Sequence, residues 1–472
     1  MPIVINHWGL YTDFYELAMA QGYYLCGKKN EKATFNYFFR TNPFNGGYTV
    51  FAGLQDLLSA LTEFNFSNED IRYLADQGMQ KEFLDYLSGF QFSGSINSIS
   101  EGEIIFPNEP ILQVEGSIIE CQLIESLLLN FLNFESLIAT KAFRIKQVTG
   151  NKTFSDFGLR RAQGLGAIHA SRAAVIGGAS STSNVMAGKL FDIPVSGTQA
   201  HSWIQSFDNE LEAFRLFVKT NPDNSVLLVD TINTLKSGVP NAIIVAKEME
   251  KEGHRLKAIR LDSGDLAYLS IKARKMLDSA GLKYVQIIAS NQLDEHVIKS
   301  LLHDQHAAID AFGVGTELIT GKMNAALDGV YKLVEVNGLP KMKLSENIEK
   351  TTLPGKKQLY RCYDHEGMFY RDAIMLAGEN PEEAEIIYDP VHREKYTIIK
   401  SLRKEPLLKP VVIQGKVVKE KQSLAEIHSY LIKRAALLPK EHLRFISPHI
   451  YKTGISEKLM DLRDTIKNQL QF

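Results

Sequence analysis

Short apolar runs alternate with amphipathic stretches along the middle of the chain. From about residue 154 the apolar runs are, in order, TFSDFGL, IPVSG, VLLVD, KAIRLD, VQIIAS and AIDAFGV. The segments between them, such as SWIQSFDNELEAFRLFVK, VPNAIIVAKEMEKEG and DLAYLSIKARKMLDSAG, have the apolar spacing of helices. The runs begin roughly 25–35 residues apart, which suits one strand plus one crossover helix. The pattern therefore predicts βα units around a parallel sheet.

The polar residues that end these runs distinguish a barrel from an open sheet. Nearly every run ends in groups suited to catalysis or phosphate binding: Arg160, Ser196-Gly197-Thr198, Asp230-Thr231, Arg260 with Asp262, Ser290-Asn291 and Gly313-Val314-Gly315-Thr316. A (β/α) barrel brings the carboxyl ends of all its strands to one rim, whereas an open sheet gathers only those near its switch point. Consecutive polar ends therefore favour a barrel.

The flanking segments differ from the middle of the chain. Residues 1–120 mix helical and strand patterns, including ATFNYFFR and EGEIIFPNEPILQVEG, and residues 330–420 are again strand-like in YKLVEV, KQLYRCY and PVVIQGKVV. The remainder predicts helices around 423–437 and 456–469. The fold class is therefore α/β, with a barrel over residues 121–329 and a second α/β domain formed by residues 1–120 and 330–472.

Composition excludes several classes of protein. The 472 residues are 44% hydrophobic and 23% charged, as in globular chains, and the net charge of −2 provides no basic field for nucleic acid. The three cysteines lie far apart, which indicates a reducing compartment rather than a disulfide framework. No signal peptide is evident at the N-terminus. The apolar segment 123–139 holds two glutamates and two asparagines, so we expect a buried helix, no membrane span and a cytoplasmic location.

A histidine follows the second apolar run. In VSGTQAHSW, residues 195–203, the run ends in Ser-Gly-Thr and a helical pattern starts after His201. Hydroxyls and free backbone N–H groups at such a junction suit an anion. His201 could carry a phosphoryl group or act as acid or base. Position alone leaves a histidine that only caps or packs as an equal alternative.

Two further run ends carry charge or glycine. Arg260 and Asp262 lie two residues apart, so their side chains point to the same side. The arginine suits a planar carboxylate, and a mutual ion pair is the alternative. Gly313 and Gly315 let the backbone approach a phosphate, and Thr316 adds a hydroxyl. Because late βα loops of a barrel often hold phosphate, we expect a phosphate there.

Weaker patterns add more candidates. FGLRRAQG places Phe157, Arg160 and Arg161 at the first run end, where an aromatic face and two phosphate-binding arginines are expected; a surface arginine pair is the alternative. Lys356, beside a Pro-Gly turn, suits a basic loop that closes on polyphosphate. Asp230 is a candidate for a ribose hydroxyl or Mg²⁺. No Walker motif or zinc-site spacing occurs, so no metal site is assigned.

Together these segments resemble the nicotinate phosphoribosyltransferase family over nearly the whole chain. The resemblance begins at TDFYELAMAQGYY (12–24) and ends at MKLSENIEKTTLPGKKQLYR (342–361). Between them it includes FFRTNPFNGGYTVFAGL, EGEIIFPNEPILQVEG, FGLRRAQG, GTQAHSW, LLVDT, RLDSGDL and DAFGVGT. Each motif is modest alone, and their joint order and spacing make the resemblance specific.

The resemblance implies a fold, a reaction and partners. The fold is that of the type II phosphoribosyltransferases, an irregular (β/α) TIM-like barrel plus an α/β sandwich domain, in a homodimer with shared active sites. The reaction converts nicotinate and 5-phosphoribosyl 1-diphosphate (PRPP) to nicotinate mononucleotide and diphosphate, the first step of NAD salvage from nicotinate. ATP hydrolysis is coupled to it through a phosphohistidine, and Mg²⁺ assists. The implied partners are these small molecules, not nucleic acid or membrane.

Residue by residue, the resemblance also implies roles. The phosphohistidine falls on His201, and the pyridine ring lies among Tyr15 and Phe157. Contacts to nicotinate fall on Thr198 and Arg260. The phosphoribosyl site falls on Thr316, Gly313 and Gly315, and two further active-site positions are Arg160 and Asp262. Additional candidates are Asp13, Arg40, Arg161, Asp230 and Lys356.

Three alternatives remain open. A nicotinamide phosphoribosyltransferase shares the barrel motifs, including Arg-x-Asp, so Asp262 does not distinguish a nicotinate enzyme from a nicotinamide enzyme. The local sequence of residues 38–54 and 349–361 favours nicotinate. A non-catalytic nucleotide sensor on the same scaffold is disfavoured by the intact His201, Arg260 and Thr316. A Schiff-base lyase is disfavoured because no lysine closes any of the apolar runs.

Overall fold

The computed structural model describes residues 7–344 and 351–470. The chain divides into two compact units: unit 1 is Met1–Leu137 with Ala326–Phe472, and unit 2 is Ile138–Ala325. The domain boundaries predicted after residues 120 and 329 stay a prediction. Residues 345–350, which carry part of the family resemblance, lie outside the described residues.

Unit 1 is built from both ends of the chain. Its N-terminal elements are α1 Phe14–Leu25, β1 Lys32–Phe39, β2 Thr49–Val50, α2 Leu54–Thr62, α3 Asn68–Asp76, α4 Lys81–Leu87, β3 Ser95–Ser98, β4 Ile104–Ile105, β5 Leu112–Ser117, α5 Ile118–Leu123 and α6 Glu125–Thr149, the last of which continues into unit 2. Serine residues cap two of these helices: the hydroxyls of Ser67 and Ser117 accept from the backbone N–H three residues on.

Unit 2 follows as alternating strands and helices. Its elements are β6 Thr153–Asp156, α7 Gly166–Ile176, β7 Ser181–Thr182, α8 Val185–Phe191, α9 His201–Gln205, α10 Glu210–Thr220, β8 Val226–Leu228, α11 Val239–Lys251, β9 Ala258–Leu261, α12 Leu266–Ser279, β10 Gln286–Ser290, α13 Glu295–Lys299, β11 Ala311–Val314 and α14 Thr316–Ile319.

The C-terminal part of the chain returns to unit 1. Its elements are β12 Gly329–Val336, β13 Leu339–Pro340, β14 Lys357–Tyr363, β15 Phe369–Leu376, β16 Ile386–Tyr388, β17 Tyr396–Ile398, β18 Arg403–Pro406, β19 Lys409–Ile413, β20 Lys416–Val417, α15 Leu424–Ala436, β21 Thr453–Ile455 and α16 Glu457–Leu470. The helices predicted around 423–437 and 456–469 are confirmed by α15 and α16.

Two large sheets organise unit 1. A seven-stranded antiparallel sheet has the order β13-β12-β1-β5-β3-β19-β20, and a six-stranded sheet has the order β17-β16-β21-β15-β14-β18. β1, an interior strand of the first sheet, is buried at all but its first and seventh positions, as expected for a strand covered on both faces. One apolar core includes Phe35 of β1 together with Leu359 and Ile374 of the second sheet. The flanks of the chain therefore fold as one layered α/β unit.

The sheet of unit 2 is parallel throughout. Its order is β7-β6-β11-β10-β9-β8, and an isolated parallel bridge joins Thr182 to Val195 at one edge. Alternate residues of β8, β9 and β10, such as Leu227, Ile259 and Ile287, share an apolar core with helix residues that include Val245 and Leu277. Crossover helices cover the sheet because parallel strands need long connections. The predicted mixed α/β fold with a parallel sheet is confirmed.

Some local predictions were wrong in detail. The segment SWIQSFDNELEAFRLFVK forms two helices, because the Asn209 side chain accepts from the Glu212 N–H and starts α10 anew. The run IPVSG makes only the bridge at Val195, since Pro194 has no N–H to donate to a ladder. Strand β7 was not predicted. Among the described helices, none combines the length and apolarity required to cross a membrane.

Candidate active site

The register of the parallel sheet brings polar side chains to one face. Arg260 pairs with Leu228 on one side and with Ile288 on the other, so the three side chains share a face. Two residues further along the same three strands lie Asp230, Asp262 and Ser290. We call Thr198, His201, Asp230, Arg260 and Asp262 the rim site, because the contacts described next join them at the carboxyl ends of the strands.

Arg260 has few partners for a buried guanidinium. Its Nη1 donates to the Thr198 hydroxyl, its Nη2 lies 4.0 Å from Asp262 Oδ2, and its side chain is only 13% exposed. Its Nε is buried and has no hydrogen-bond partner among the described residues. Burial lowers the pKa of Arg260, although Asp262 and Asp230 act to raise it. The guanidinium therefore keeps donors for an additional anion, and the 4.0 Å separation makes a closed Arg260–Asp262 ion pair the weaker interpretation.

The two carboxylates of the rim site are held in place by their own partners. Asp230 Oδ2 accepts from the Asp262 backbone N–H at 2.8 Å and from the Ser263 hydroxyl at 2.7 Å. Asp262 Oδ1 accepts from the Ser290 hydroxyl. Asp230 Oδ1 is buried and has no hydrogen-bond partner within residues 7–344 and 351–470. The site thus presents oriented oxygen atoms as well as a cation.

His201 lies at the first position of α9. Its Nδ1 is 3.0 Å from the Thr231 hydroxyl, and its Nε2 is 3.8 Å from Asp262 Oδ2. The side chain is 41% exposed. Thr231 therefore orients the imidazole through Nδ1, which leaves Nε2 on the side of Asp262 in a partly exposed side chain.

The Phe157 ring explains one of the predicted glycines. The Phe157 N–H donates to the Val314 carbonyl at 2.8 Å, and a Cβ on Gly313 would lie 2.4 Å from the phenyl ring. Only glycine fits at that position, because any side chain would displace the aromatic ring. A Cβ on Gly315 would lie 3.3 Å from the Phe157 carbonyl oxygen, a tighter approach than usual. Thr316 begins α14 and is exposed.

Arg160 and Arg161 follow Phe157 in a 3-10 turn, Leu159–Arg161, and both are exposed. The positive charge of Arg160 contributes to the lowered pKa of Arg260, after burial. The two arginines therefore add positive potential at the carboxyl end of β6, next to the rim site.

Four predicted residues lie in unit 1. The Tyr15 side chain in α1 is 47% exposed, and burial of its phenol together with Glu125 raises its pKa. The remaining three have partners inside unit 1: Asp13 Oδ2 accepts from Ser126 Oγ at 2.8 Å, Arg40 Nη1 lies 3.9 Å from Asp328 Oδ1, and Lys356 Nζ lies 2.5 Å from Glu115 Oε2.

Comparisons with known proteins identify the family. Models of the nicotinate phosphoribosyltransferase N-terminal domain, family and C-terminal domain match residues 10–133, 152–372 and 356–463. Nicotinate phosphoribosyltransferase from Bacillus subtilis (strain 168) is 44% identical over 459 residues, 95% of this chain and 93% of the relative. The chain belongs to the nicotinate phosphoribosyltransferase family.

Further relatives and solved structures agree with this membership. Nicotinate phosphoribosyltransferase 1 of Arabidopsis thaliana is 36% identical over 96% of this chain and 92% of its own length. The crystal structure of human nicotinic acid phosphoribosyltransferase superposes with a TM-score of 0.88 at 30% identity, covering 96% of this chain and 99% of the human one. Like the other members of this family, the chain is an enzyme of pyridine nucleotide synthesis.

Sequence reasoning placed Thr231 and Ser290 at run ends but assigned no partner in the rim site to them or to Ser263. Thr231 orients His201, Ser290 binds Asp262, and Ser263 binds Asp230. Thr231 and Ser263 directly follow apolar runs and Ser290 ends one, so the signal was present. It could not be used, because the partner of each hydroxyl comes from another strand or helix.

Asp156 was also missed, and it holds the strands together behind the site. It accepts from the Gly158 N–H at 2.8 Å, the Ser171 hydroxyl at 2.7 Å and the Thr182 hydroxyl at 2.8 Å. Burial raises its pKa although these hydrogen bonds act to lower it. Its place between Ser155 and Phe157 makes it point to the opposite face of the strand.

Proposed function

We propose that this chain transfers the phosphoribosyl group of PRPP to nicotinate and releases nicotinate mononucleotide and diphosphate, with ATP hydrolysed alongside. The observation that carries the proposal is Arg260: a buried guanidinium, bonded to the hydroxyl of Thr198, whose Nε has no hydrogen-bond partner among the described residues. Such a group suits a planar carboxylate on an aromatic ring. Family membership supplies the identity of that acid.

The transfer needs positioning more than proton removal. The pyridine nitrogen is itself the nucleophile; its lone pair forms the bond to C1 of the ribose while the C1–O bond to diphosphate breaks and diphosphate leaves with the electron pair. We assign ring contact to Phe157 and Tyr15, and the carboxylate to Arg260 and Thr198. Phosphoryl oxygens fall to Gly313, Gly315 and Thr316, with leaving-group charge offset by Arg160 and Arg161.

We assign His201 as the residue that accepts the phosphoryl group of ATP. The Thr231 contact at Nδ1 leaves Nε2 to accept the terminal phosphoryl group of ATP, forming an N–P bond as ADP departs. Phosphorylation adds negative charge about −1.5 to −2 by analogy with other phosphorylated side chains, next to Asp262. Asp230 and Asp262 fit Mg²⁺, since both offer oxygen donors and Asp230 Oδ1 is buried without a partner among the described residues. When bound, the ion would offset phosphate charge.

The finer architecture is part of the same proposal. We infer that the parallel sheet of unit 2 is the wall of an irregular TIM-like barrel, supported by polar residues at successive strand ends. We also infer a cytoplasmic homodimer in which each chain contributes Tyr15 to the site of the other, supported by the 47% exposure of that residue. Mixing a Tyr15→Ala chain with a His201→Ala chain should restore ATP-coupled activity to about a quarter of wild type, because one intact site forms in each mixed dimer. Absence of recovery would exclude shared sites.

The direct test is an assay with nicotinate, PRPP and Mg²⁺, with and without ATP labelled on its terminal phosphate. We expect ATP-stimulated formation of nicotinate mononucleotide and label on the protein. His201→Ala should keep some transfer and lose both the label and the coupling to ATP. His254→Ala is the matched control, since that histidine is equally exposed, at 40%, and lies near Asp223 in unit 2. Unchanged coupling in His201→Ala would remove His201 from this role.

Nicotinamide is the competing substrate. Arg260 favours the acid, because a guanidinium attracts a carboxylate and gains no ion pair from an amide. Turnover of both substrates at equal concentration should show a large preference for nicotinate. A clear preference for nicotinamide would overturn the assignment.

A further inference from the structure

Strands β6 and β7 carry different hydroxyl clusters on their two faces. Ser155 pairs in register with Ser181, and Asp156 pairs with Thr182. The second pair faces α7, where both residues bind the Ser171 hydroxyl. Successive strand side chains alternate between faces, so the first pair points the other way. On that side the Ser155 and Ser181 hydroxyl oxygens lie 2.7 Å apart.

A third serine joins this inner pair. Ser181 Oγ lies 2.7 Å from Ser196 Oγ, and Ser196 Oγ lies 3.5 Å from Ser155 Oγ. We call Ser155, Ser181 and Ser196 the serine cluster. Three hydroxyls supply three donors, and the two short contacts use two of them. The 3.5 Å contact is too long to hold the third donor firmly, so one O–H remains available to another acceptor.

The serine cluster shares its face with the proposed pyridine site. Ser155 pairs with Gly313, against which the Phe157 ring packs, and it precedes Phe157 by two residues. It therefore lies on the same face as the ring, roughly 7 Å further from the carboxyl end of the strand. Ser196 precedes Thr198 by two residues, and Thr198 is the hydrogen-bond partner of Arg260.

Substrate geometry decides what these hydroxyls would meet. The ring nitrogen must face ribose C1, which lies toward the loops that hold phosphate. The carboxylate, attached elsewhere on the ring, then projects toward the interior of the sheet, where the serine cluster lies. Hydrogen-bonded hydroxyls polarise one another, so a chain of three donates more strongly to an anion than one hydroxyl does.

We propose that the serine cluster forms the inner wall of the carboxylate pocket and, with Arg260 and Thr198, selects a pyridine carboxylate over the amide. The inference rests on the proposed function and adds specificity-determining residues to it. The cluster has no carboxylate, so it offers no charged acceptor to an amide NH₂. Its donors and the guanidinium all face a negative group.

The test separates the inner face of the strands from the outer one. Ser181→Ala, the most buried member at 8% exposed, should raise KM for nicotinate about tenfold, since a hydrogen bond to a charged group is lost. The KM for PRPP and kcat should hardly change, and the preference for nicotinate over nicotinamide should fall. Ser155→Ala and Ser196→Ala should act in the same direction.

Ser171→Ala is the matched control, because it removes a buried hydroxyl of α7 that contacts Asp156 and Thr182 on the outer face of the same strands. It should lower the melting temperature and leave both KM values unchanged. Equal rises in the KM for nicotinate and for PRPP in Ser181→Ala, or the same kinetics as in Ser171→Ala, would overturn the proposal.

Calorimetry with nicotinate alone distinguishes this failure from failure of the proposed function. Wild type that binds nicotinate without forming mononucleotide would refute the function, while weaker binding to Ser181→Ala would still support the pocket. Active wild type with unaltered nicotinate binding in Ser181→Ala would refute the pocket alone.

Discussion

Arg361 in unit 1 and Arg260 in unit 2 are both strand arginines with little or no exposure, yet their surroundings differ. All three nitrogens of Arg361 donate: Nη1 to Glu103 at 2.6 Å, Nε to Asp372 at 3.0 Å, and Nη2 to Asp372 at 2.7 Å and the Ile104 carbonyl at 2.9 Å. Burial alone would lower the pKa of Arg361, but Asp372 and Glu103 raise it well above its usual value. Arg260 meets a neutral hydroxyl, and its pKa is lowered.

This difference indicates which buried arginine is a candidate for ligand binding. The nitrogens of Arg361 all donate to carboxylates or a backbone carbonyl, so this guanidinium stabilises unit 1 and has none left for a ligand. A guanidinium that is buried against a neutral hydroxyl has lost its hydration without gaining a close ion pair. Binding of an anion would offset this desolvation penalty. The same cost of burial applies to acids, so substitutions at Arg361, Glu16 and Arg260 test the difference.

The largest expected effect is on stability, at Arg361. Arg361→Met leaves Asp372 buried without its cation and removes one of the two cations beside Glu103, which keeps Arg434 Nε at 2.6 Å, so the free energy of unfolding should fall by about 3–5 kcal/mol. Urea unfolding followed by circular dichroism measures the change. The control is Arg393→Met, which breaks the exposed Arg393–Asp461 contact of 2.8 Å and should cost about 0.5 kcal/mol or less. Equal losses in both variants would contradict a structural role specific to Arg361.

A buried carboxyl group with neutral partners should, like Arg260, have its pKa shifted toward the uncharged form. Glu16 is buried in α1, accepts from Ser126 and Thr12, and has a pKa raised to about 7, chiefly by burial. The pKa of Glu16 is higher in the folded state than the usual 4.5. Its contribution to the free energy of unfolding is therefore fully present below about pH 4.5 and is lost as pH rises to about 7.

Glu16→Gln should remove this dependence. The difference in free energy of unfolding between variant and wild type should shift by about 3 kcal/mol between pH 4.5 and 8, in favour of the variant at high pH. Unfolding curves at several pH values measure it. A difference that stays constant with pH would mean that Glu16 is ionised in the folded protein at no cost.

The smallest free energy change is expected at Arg260, and it should appear in binding. Arg260→Ala should raise KM for nicotinate about 10- to 100-fold and KM for PRPP far less, because a charged hydrogen-bond partner of the carboxylate is lost. Its free energy of unfolding should change by about 1 kcal/mol or less, in contrast to Arg361→Met. Arg260→Lys should rescue only part of the KM, since the planar fork is missing. Equal effects on both substrates would make Arg260 a structural residue.

Part of this fold and of the candidate site could be predicted from the amino-acid sequence. The parallel sheet follows from the spacing of apolar runs, and α15 and α16 follow from helical periodicity. Asp230, Arg260 and Asp262 stand at the ends of those runs and Thr198 directly after one, so their grouping at one edge of the sheet was an expected consequence of parallel strands. Their individual roles stay predictions that the proposed experiments address.

Local sequence determined the candidate chemistry of this protein, because strand ends and helix starts depend on residues close together in the chain. Tertiary structure decided which candidates cooperate. Ser155, Ser181 and Ser196 come from three segments, and Arg361 meets Glu103 from the opposite end of the chain. Such pairs depend on strand order and register, which no local pattern encodes. Only the fold therefore distinguishes Arg361, whose nitrogens all donate within unit 1, from Arg260, whose Nε has no partner among the described residues.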